Sequence, residues 1–516
     1  MASIRDTGPP APCPEPFNMA AQVLAPAARH PERIALRILR PDGVERWSYG
    51  QLEAAVRGTG AGLRASGLAP GDRILLRLGN TVDFPIAYLG AIAAGLVPVP
   101  TAAGLTAGEA GKLAAIIEPA AIIAGPGIAL PDPAPCPVLD TGALRTMRDA
   151  APCDWETGPA DRLAYIIFTS GSSGAPRAVM HAHRAVWARR MMWRDWYGLE
   201  DGDRILHAGA FNWTYTLGTG LMDPWAAGLS ALIPGEGVTP AQLPLLMRRF
   251  DVTIFAAAPG VYRQMLKSSE ELDLPRLRHG LSAGEKLPET TRAAWEAATG
   301  RPVFEALGMS ECSTFISQSP ARPGPPGSLG YPQSGRRIAV LDPDGRPVPH
   351  GRPVPHGREG ILAVSADDPG LCLGYLGAPE ATAAKFARGW FLTGDAVTMA
   401  ADGAVRYLGR DDDMMNAGGF RVSPLEVEGA LNAHPNIAES AVCEIAVKRD
   451  ATIIAAFYVA AVDPGEAALA AHAAAHLARY KQPRRFIRVP ALPRGANNKL
   501  LRRTLRAQWE AQHDPA

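Results

Sequence analysis

Chemistry shows first in the run YIIFTSGSSGAPRAVMHAHRAV, which begins at Tyr165. Strand-forming residues give way to Thr169, Ser170, Gly171, Ser172, Ser173 and Gly174, then to Pro176 and Arg177, before a helical pattern resumes. Small hydroxyl residues and glycines leave backbone N–H groups uncovered, and glycine lets several converge on one point with no Cβ in the way. Such a loop suits a phosphate. An ordinary strand-to-helix turn has the same composition, and the spacing lacks the G-x-x-x-x-G-K-[ST] of a P-loop.

The elements around this loop decide how it is presented. From Arg73 the chain alternates short apolar runs with amphipathic ones: DRILLRLGN reads as a strand, TVDFPIAYLGAIAAG as a helix and LVPVP as a strand. The pattern recurs at AAIIAG, at DRILHAGAF followed by TLGTGLMDPWAAG, and at VTIFAAAP followed by GVYRQMLKSS. Repeated βα units predict an α/β fold with largely parallel sheets. From about residue 320 to 410, short strands and turn signals predict a β-rich subdomain, in which GRPVPH occurs twice in tandem at 345–350 and 351–356 and lengthens a hairpin loop. After Asp411–Asp413 the pattern changes again. PLEVEGALNAHP reads as a helix, SAVCEIAVK and TIIAAFYVAAV as strands, and LAAHAAAHLARY as a helix, a small α+β domain over 411–516.

Composition narrows the partners. The 516 residues carry 52 Lys and Arg against 51 Asp and Glu, so no charge excess points to nucleic acid or an anionic membrane, and a small molecule is the expected partner. Six cysteines lie far apart with no C-x-x-C pair, as expected of reduced thiols and not of a zinc site. The opening MASIRDTGPPAPCPEPF has no apolar core of the secretory kind, and stretches such as AYLGAIAAGLVPVP are too short or broken to span a bilayer. A cytoplasmic protein without membrane insertion is expected, as a monomer or a homodimer.

Several separated segments together resemble one family, the adenylate-forming enzymes, which include acyl- and aryl-CoA ligases, luciferase-like enzymes and peptide-synthetase adenylation domains. TSGSSGAPR (169–177) is similar to the family's phosphate loop, with Arg177 where lysine is usual, a planar fork in place of a point charge. SAGEKL (282–287), with Ala283, Gly284 and Glu285, and EALGMSE (305–311), with Ala306, Leu307 and Gly308, resemble the adenine-side segments. The resemblance implies that Ser310 bonds a phosphate and that Glu311 holds Mg²⁺, a hard cation that favours carboxylate and phosphate oxygens. Leu307 stands where many relatives place an aromatic residue against adenine; benzoate-type ligases also carry an aliphatic residue there. Asp395 in GWFLTGD and Arg410 in YLGR match ribose-binding positions; alone, each reads as a turn aspartate and a surface arginine. Asp412 matches the hinge residue, Gly418, Gly419 and Phe420 the loop that lines the CoA channel, and Lys499 in LPRGANNKLLRRTLR the catalytic lysine.

The fold implied is a large N-terminal adenylation domain (1–410) of parallel-rich α/β subdomains plus a β-rich subdomain, with a small mobile C-terminal α+β lid (411–516) hinged at Asp412. The chemistry implied has two steps: a carboxylate attacks the α-phosphorus of ATP and pyrophosphate leaves, then the thiol of coenzyme A takes the acyl group and AMP leaves. ATP, Mg²⁺ and coenzyme A are the implied cofactors, and a carboxylic acid the substrate. NWTYTLGTGL resembles the benzoate pattern, with Tyr215, Leu217, Gly218, Gly220 and Leu221 in register. Phe211, Trp213, Tyr215 and Ala283 are candidate pocket walls, although aromatic residues are also ordinary core material. His207 falls one position from the family's histidine and reads as a strand end. An aryl or alicyclic acid:CoA ligase is the first reading. A short- or medium-chain acyl-CoA ligase, an enzyme loading a carrier protein's thiol, and a degenerate nucleotide-binding protein, suggested by Arg177 and Leu307, are its alternatives.

Overall fold

A computed structural model describes residues 2–170, 176–267, 271–342, 352–417, 420–448, 451–495 and 500–512. The chain packs as two units: a larger one, Arg5–Arg337 with Val364–Phe391, and a smaller one, Met1–Ile4 with Ile338–Ala363 and Leu392–Ala516. The boundary expected at 410 lies inside the smaller unit, and the duplicated GRPVPH falls largely outside the described residues.

The larger unit bears out the parallel-rich α/β expectation. Among its described residues a nine-stranded sheet runs Tyr331–Pro332, Ser313–Ser317, Val303–Met309, His279–Ser282, Ile254–Ala257, Arg204–His207, Ser230–Pro234, Ile34–Leu39 and Val44–Ser48. Its middle pairs are parallel and its outer pairs antiparallel. The central strands are buried on both faces, which is why DRIL and VTIFAA read as apolar runs without alternation. A parallel sheet of Val97–Pro100, Arg73–Arg77, Ala121–Ala124 and Val138–Asp140 lies beside the helix Asp83–Ala93. Beyond Asp83, which pairs with Arg148, that helix is apolar all round and wholly buried, as its sequence requires. Tyr49–Ala65 starts at a capping box in which Ser48 Oγ accepts the Gln51 N–H while Gln51 returns the favour to the Ser48 N–H. The stretch read as one helix after DRILHAGAF is a π-helical turn, Thr216–Met222, running into the helix Asp223–Ala226.

A third sheet, antiparallel, carries the phosphate-loop segment: Gly374–Tyr375, Pro176–Ala182 and Leu163–Ser170. In the smaller unit, Asp395–Met399 pairs antiparallel with Val405–Arg410. Further on, Glu439–Lys448, Ala451–Val459 and Arg485–Arg488 form a sheet packed with the helices Pro424–Leu431 and Glu466–His476 around Val427, Leu431, Tyr458 and Leu469. No described helix is long and apolar enough to cross a membrane.

Candidate active site

The strand Leu163–Ser170 delivers Thr169 and Ser170 to the loop, and the returning strand sets Arg177 opposite Thr169. Gly171, Ser172, Ser173 and Gly174 lie outside the described residues, and so do Gly418, Gly419 and Lys499. Tyr375, opposite Val179 on the neighbouring strand, lies with its ring centroid 5.2 Å from the Arg177 guanidinium carbon. Its hydroxyl donates to Glu311 Oε1 at 2.7 Å. Burial, and then the Glu311 charge, raise the Tyr375 pKa, so the phenol stays a donor. The Glu311 carbonyl accepts the Cys372 N–H at 2.7 Å, which fastens the same turn to the segment that carries Tyr375. One tyrosine thus joins the cation after the phosphate loop to the carboxylate of the SE motif.

Ser310 is held from the other side. Its carbonyl lies 2.8 Å from His181 Nε2. A carbonyl only accepts, so Nε2 carries the proton and Nδ1 is the lone-pair nitrogen. Nδ1 is buried and has no hydrogen-bond partner among the described residues. Burial pushes the His181 pKa down to about 4, and the neutral ring stacks on Tyr165 at 4.8 Å with 12° between planes.

The adenine-side segments meet through a residue that motif reading passed over. Glu305, buried at the start of EALGMSE, accepts from Lys286 Nζ at 2.6 Å, the Leu287 N–H at 2.8 Å and Arg292 at 3.1 Å. It thereby ties the end of SAGEKL to the strand of Ala306, Leu307 and Gly308. A bulge between Leu307 and Gly308 breaks the register with Ser313–Ser317. Gly284, at φ +96°, admits no side chain: a Cβ there would come within 2.6 Å of the Trp213 indole. Ala283 beside it is buried.

The predicted pocket walls divide. Phe211 stacks on Phe84 at 5.3 Å and donates its N–H to Asn80. Trp213 lies edge-on to Tyr215 at 5.2 Å, and the Tyr215 hydroxyl donates to the Leu281 carbonyl at 3.1 Å. His207 ends its strand fully buried, with neither ring nitrogen partnered among the described residues and a pKa pushed by burial down to about 3. A cleft beside Ser310 is lined from this segment by Thr214, Leu217 and Met222, and not by the three aromatics. Tyr165, His181, Ala185, Arg189, Met309, Ser313 and Gly370 complete its walls.

Behind the cleft sits an ion pair that motif reading missed. Arg189 Nε and Nη2 reach the Asp223 oxygens at 2.9 and 2.6 Å, Tyr197 donates to the same carboxylate at 2.6 Å, and Arg189 Nη1 donates to Ser313 Oγ. Gly218 makes room for it, since a Cβ there would stand 2.1 Å from Arg189 Nη2. The signal was present as one aspartate in the apolar run GTGLMDPWAAG, because a charge so placed needs a buried partner. Among the described residues no cluster of three or more His, Cys, Asp or Glu could cage a metal. A lone carboxylate such as Glu311 fits Mg²⁺ that takes its other ligands from phosphate and water.

In the smaller unit Asp395 and Arg410 face each other across one antiparallel pair, with Nη1 3.1 Å from Oδ1 and 2.9 Å from the Thr393 carbonyl. Asp395 is buried and the Tyr407 hydroxyl is 3.4 Å from it. Asp412 lies in a short 3-10 turn, Asp411–Asp413, and Phe420 opens the strand Phe420–Val422. Arg502 grips Glu428 with two bonds, at 2.9 and 2.7 Å.

Comparison with known proteins agrees over the whole chain. Residues 24–376 match the profile of the AMP-binding enzymes, and 426–499 that of the AMP-binding enzyme C-terminal domain. The chain is 30% identical to the benzoate–CoA ligase of Thauera aromatica, over 98% of this chain and 99% of that one. It is also 30% identical to the anthranilate–CoA ligase of Pseudomonas aeruginosa, over 85% and 87%. Among solved structures, ATP-bound MatB from Rhodopseudomonas palustris superposes with a TM-score of 0.87 at 26% identity, covering 96% of this chain and 99% of that one. A benzoate CoA ligase from Burkholderia xenovorans gives 0.84 at 28% identity, covering 95% and 100%.

Proposed function

The chain belongs to the AMP-binding enzyme family, and from that premise we propose that it is an ATP-dependent acid:CoA ligase acting on an aromatic carboxylic acid, a benzoate in the first instance. The observation that carries the reading is the chain Arg177–Tyr375–Glu311, set next to a cleft that Ser310 shares.

In the first half-reaction a carboxylate oxygen attacks the α-phosphorus, and the bond to the bridging oxygen of pyrophosphate breaks. Negative charge gathers on the departing oxygens. Arg177 meets it with a fixed cation, and the hydroxyl of Ser310 donates to a phosphate. Tyr375 keeps the Glu311 carboxylate in one orientation, so that little is reorganised as charge develops. Mg²⁺ bound by Glu311 would supply further charge neutralisation. Lys499 acts as the cation of this half-reaction, and Asp395 receives the ribose hydroxyls while Arg410 holds it in place. In the second half-reaction the thiol sulfur of coenzyme A attacks the acyl carbonyl and AMP leaves. Asp412 then serves as the hinge of a lid over 411–516, and Gly418, Gly419 and Phe420 leave room for the slender pantetheine. For Thr169 and the 171–174 loop the reading is a cradle of N–H groups around the pyrophosphate end of ATP.

The aromatic preference draws support from the benzoate–CoA and anthranilate–CoA ligases to which the chain is similar over most of its length. Acid-dependent exchange of labelled pyrophosphate into ATP tests the first step, with benzoate, cyclohexenecarboxylate and hexanoate as substrates. The expected result is exchange with benzoate, then AMP release that requires coenzyme A. Exchange with hexanoate and none with any ring acid would overturn the substrate class. AMP release without added thiol acceptor would overturn coenzyme A as the acceptor.

A further inference from the structure

The hairpin of Ile34–Leu39 and Val44–Ser48 carries a charge arrangement that the two half-reactions leave unused. Arg37 is paired directly opposite Arg46, so two guanidinium side chains rise from neighbouring strands on one face of the sheet. Like charges so placed repel. The same hairpin shows the usual remedy on its other face, where Arg40 Nη2 meets Glu45 at 2.9 Å. Arg37 and Arg46 make no ion pair among the described residues, and Arg37 Nη1 is buried without a hydrogen-bond partner. Leu39 and Leu232 flank Arg37 on its face and pack with Leu243, Leu246 and Met247, which shuts one end of the guanidinium off from solvent. Leu232 in turn lies opposite Leu206, so Arg204, two residues earlier, adds a third cation to this face. Its own charge is matched by Asp251 at 2.9 Å, which commits that carboxylate elsewhere. Burial, and then the charges of Arg204 and Arg46, push the Arg37 pKa down, as happens to a cation that lacks a counter-ion.

We propose that Arg37 and Arg46 together bind a small phosphate-type oxyanion, at a site separate from the catalytic motifs. Side chains directly opposite on paired strands start about 5 Å apart, close enough for two forks to converge on one group. A tetrahedral oxyanion offers oxygens to both forks at once, and planar guanidinium groups match that geometry. It also supplies the acceptor that Arg37 Nη1 lacks and cancels the repulsion across the strands. A chloride ion presents one point and cannot serve two forks in this way. With 52 basic residues against 51 acidic ones the chain has no charge excess for a polyanion, and the closed end of Arg37 favours a compact ion.

The test is thermal unfolding of the full chain, followed by tryptophan fluorescence, in sodium phosphate and in sodium chloride of matched ionic strength. Phosphate at about 20 mM should raise the midpoint by about 2 °C over chloride in the wild type. In Arg37→Met and in Arg46→Met most of that increment should vanish. Arg40→Met removes a cation already paired with Glu45 and should keep it. Phosphate bound at the catalytic loop contributes equally to wild type and variants, so the difference between them reads this site alone. Glycerol 3-phosphate tells a phosphoryl end group from the free ion: an equal increment, lost in the same variants, assigns the end group, and no increment assigns the free ion. Equal midpoints in phosphate and chloride overturn the site. So does an increment that all three variants keep, since the anion then binds elsewhere. If Arg37→Met fails to fold, Arg46→Met, on the exposed strand of the hairpin, decides. The ligase reading stands or falls separately, on pyrophosphate exchange.

Discussion

In the larger unit the charged groups of the candidate site are gripped by residues far away in sequence, whereas in the smaller unit they are gripped by neighbours. Glu311 takes its hydroxyl from Tyr375, 64 residues on, and Arg189 its carboxylate from Asp223, 34 residues on. Asp395 and Arg410 are 15 residues apart across one hairpin, and the Arg410 side chain keeps 30% of its surface exposed. The first arrangement fixes side chains by tertiary packing and excludes water, which strengthens each electrostatic contact and makes it costly to cut. The second tolerates change, because solvent can replace what is removed.

Acid separates the two regions most strongly. His181 and His279 are pushed by burial down to about 4, and His183 and His207 down to about 3, all within the larger unit. Their folded pKa values lie below the ordinary value of 6.5, so the unfolded chain binds protons that the folded one refuses. The stability they confer is complete above pH 6.5 and is lost as pH falls from there toward 4 and 3. Each fully titrating group adds a slope of up to about 1.4 kcal/mol per pH unit. His434, His472 and His476 of the smaller unit lie outside the buried core. Every tryptophan except Trp509 belongs to the larger unit, so tryptophan fluorescence follows it selectively. The expected outcome is a fluorescence transition between about pH 6 and 4, ahead of the loss of helical signal from the smaller unit. Coincident transitions at pH 3 would show the buried histidines to be relieved by water.

Next in size is the loss of one partner from a buried pair. Arg336 and Asp368 have 0% and 1% of their side-chain surfaces exposed, and Arg336 also donates to the Thr314 carbonyl at 3.0 Å. Arg336→Met leaves the buried Asp368 carboxylate without its cation, held only by the Gly370 N–H and the Cys312 thiol, and should lower unfolding free energy by about 3–5 kcal/mol, measured by urea titration. Replacing both residues with apolar ones should cost less than the single change. Arg33→Met at the exposed pair with Asp201 should cost at most about 1 kcal/mol.

On the chemistry, Glu311→Ala should reduce ATP–pyrophosphate exchange by about 100- to 1,000-fold, the usual effect of deleting one preorganised group. Tyr375→Phe keeps the ring beside Arg177 and deletes the hydroxyl that bonds Glu311 and Arg177, so about a tenfold loss is expected, with a higher Mg²⁺ requirement. Equal losses in the two variants would mean that Tyr375 does more than orient the carboxylate.

The sequence was most legible where a local pattern is also the functional unit. Apolar runs in DRILLR, AAIIA and VTIFAA gave the parallel strands, and the ordered motifs around Thr169, Glu311 and Asp395 gave the family. Residues that act through distant partners were hidden. Tyr375 looks like one aromatic among many in LCLGYLGAP, and only the pairing of its strand with Pro176–Ala182 puts it next to Arg177. His181 sits in MHAHRAV with nothing to say that its Nε2 would be committed and its Nδ1 not. Glu305 opens a motif whose later residues drew the attention. Within NWTYTLGTGL, which residues turn toward the cleft beside Ser310 depends on a π-helical turn that apolar spacing does not announce.

The smallest effect is expected at Arg410, and it bears directly on the contrast between the regions. Arg410→Lys keeps a positive charge near Asp395 but gives up the planar fork that lets Nη1 serve both Asp395 and the Thr393 carbonyl. Because the side chain is partly solvated, the lost bond is replaced by water, and the cost to folding should stay below about 1 kcal/mol in a urea titration. If Arg410 only steadies Asp395 for the ribose hydroxyls, KM for ATP should rise a few-fold while kcat of exchange holds, since weaker uniform binding leaves the chemical step alone. A kcat loss as deep as that of Glu311→Ala would place Arg410 in the chemistry and erase the distinction between the two regions.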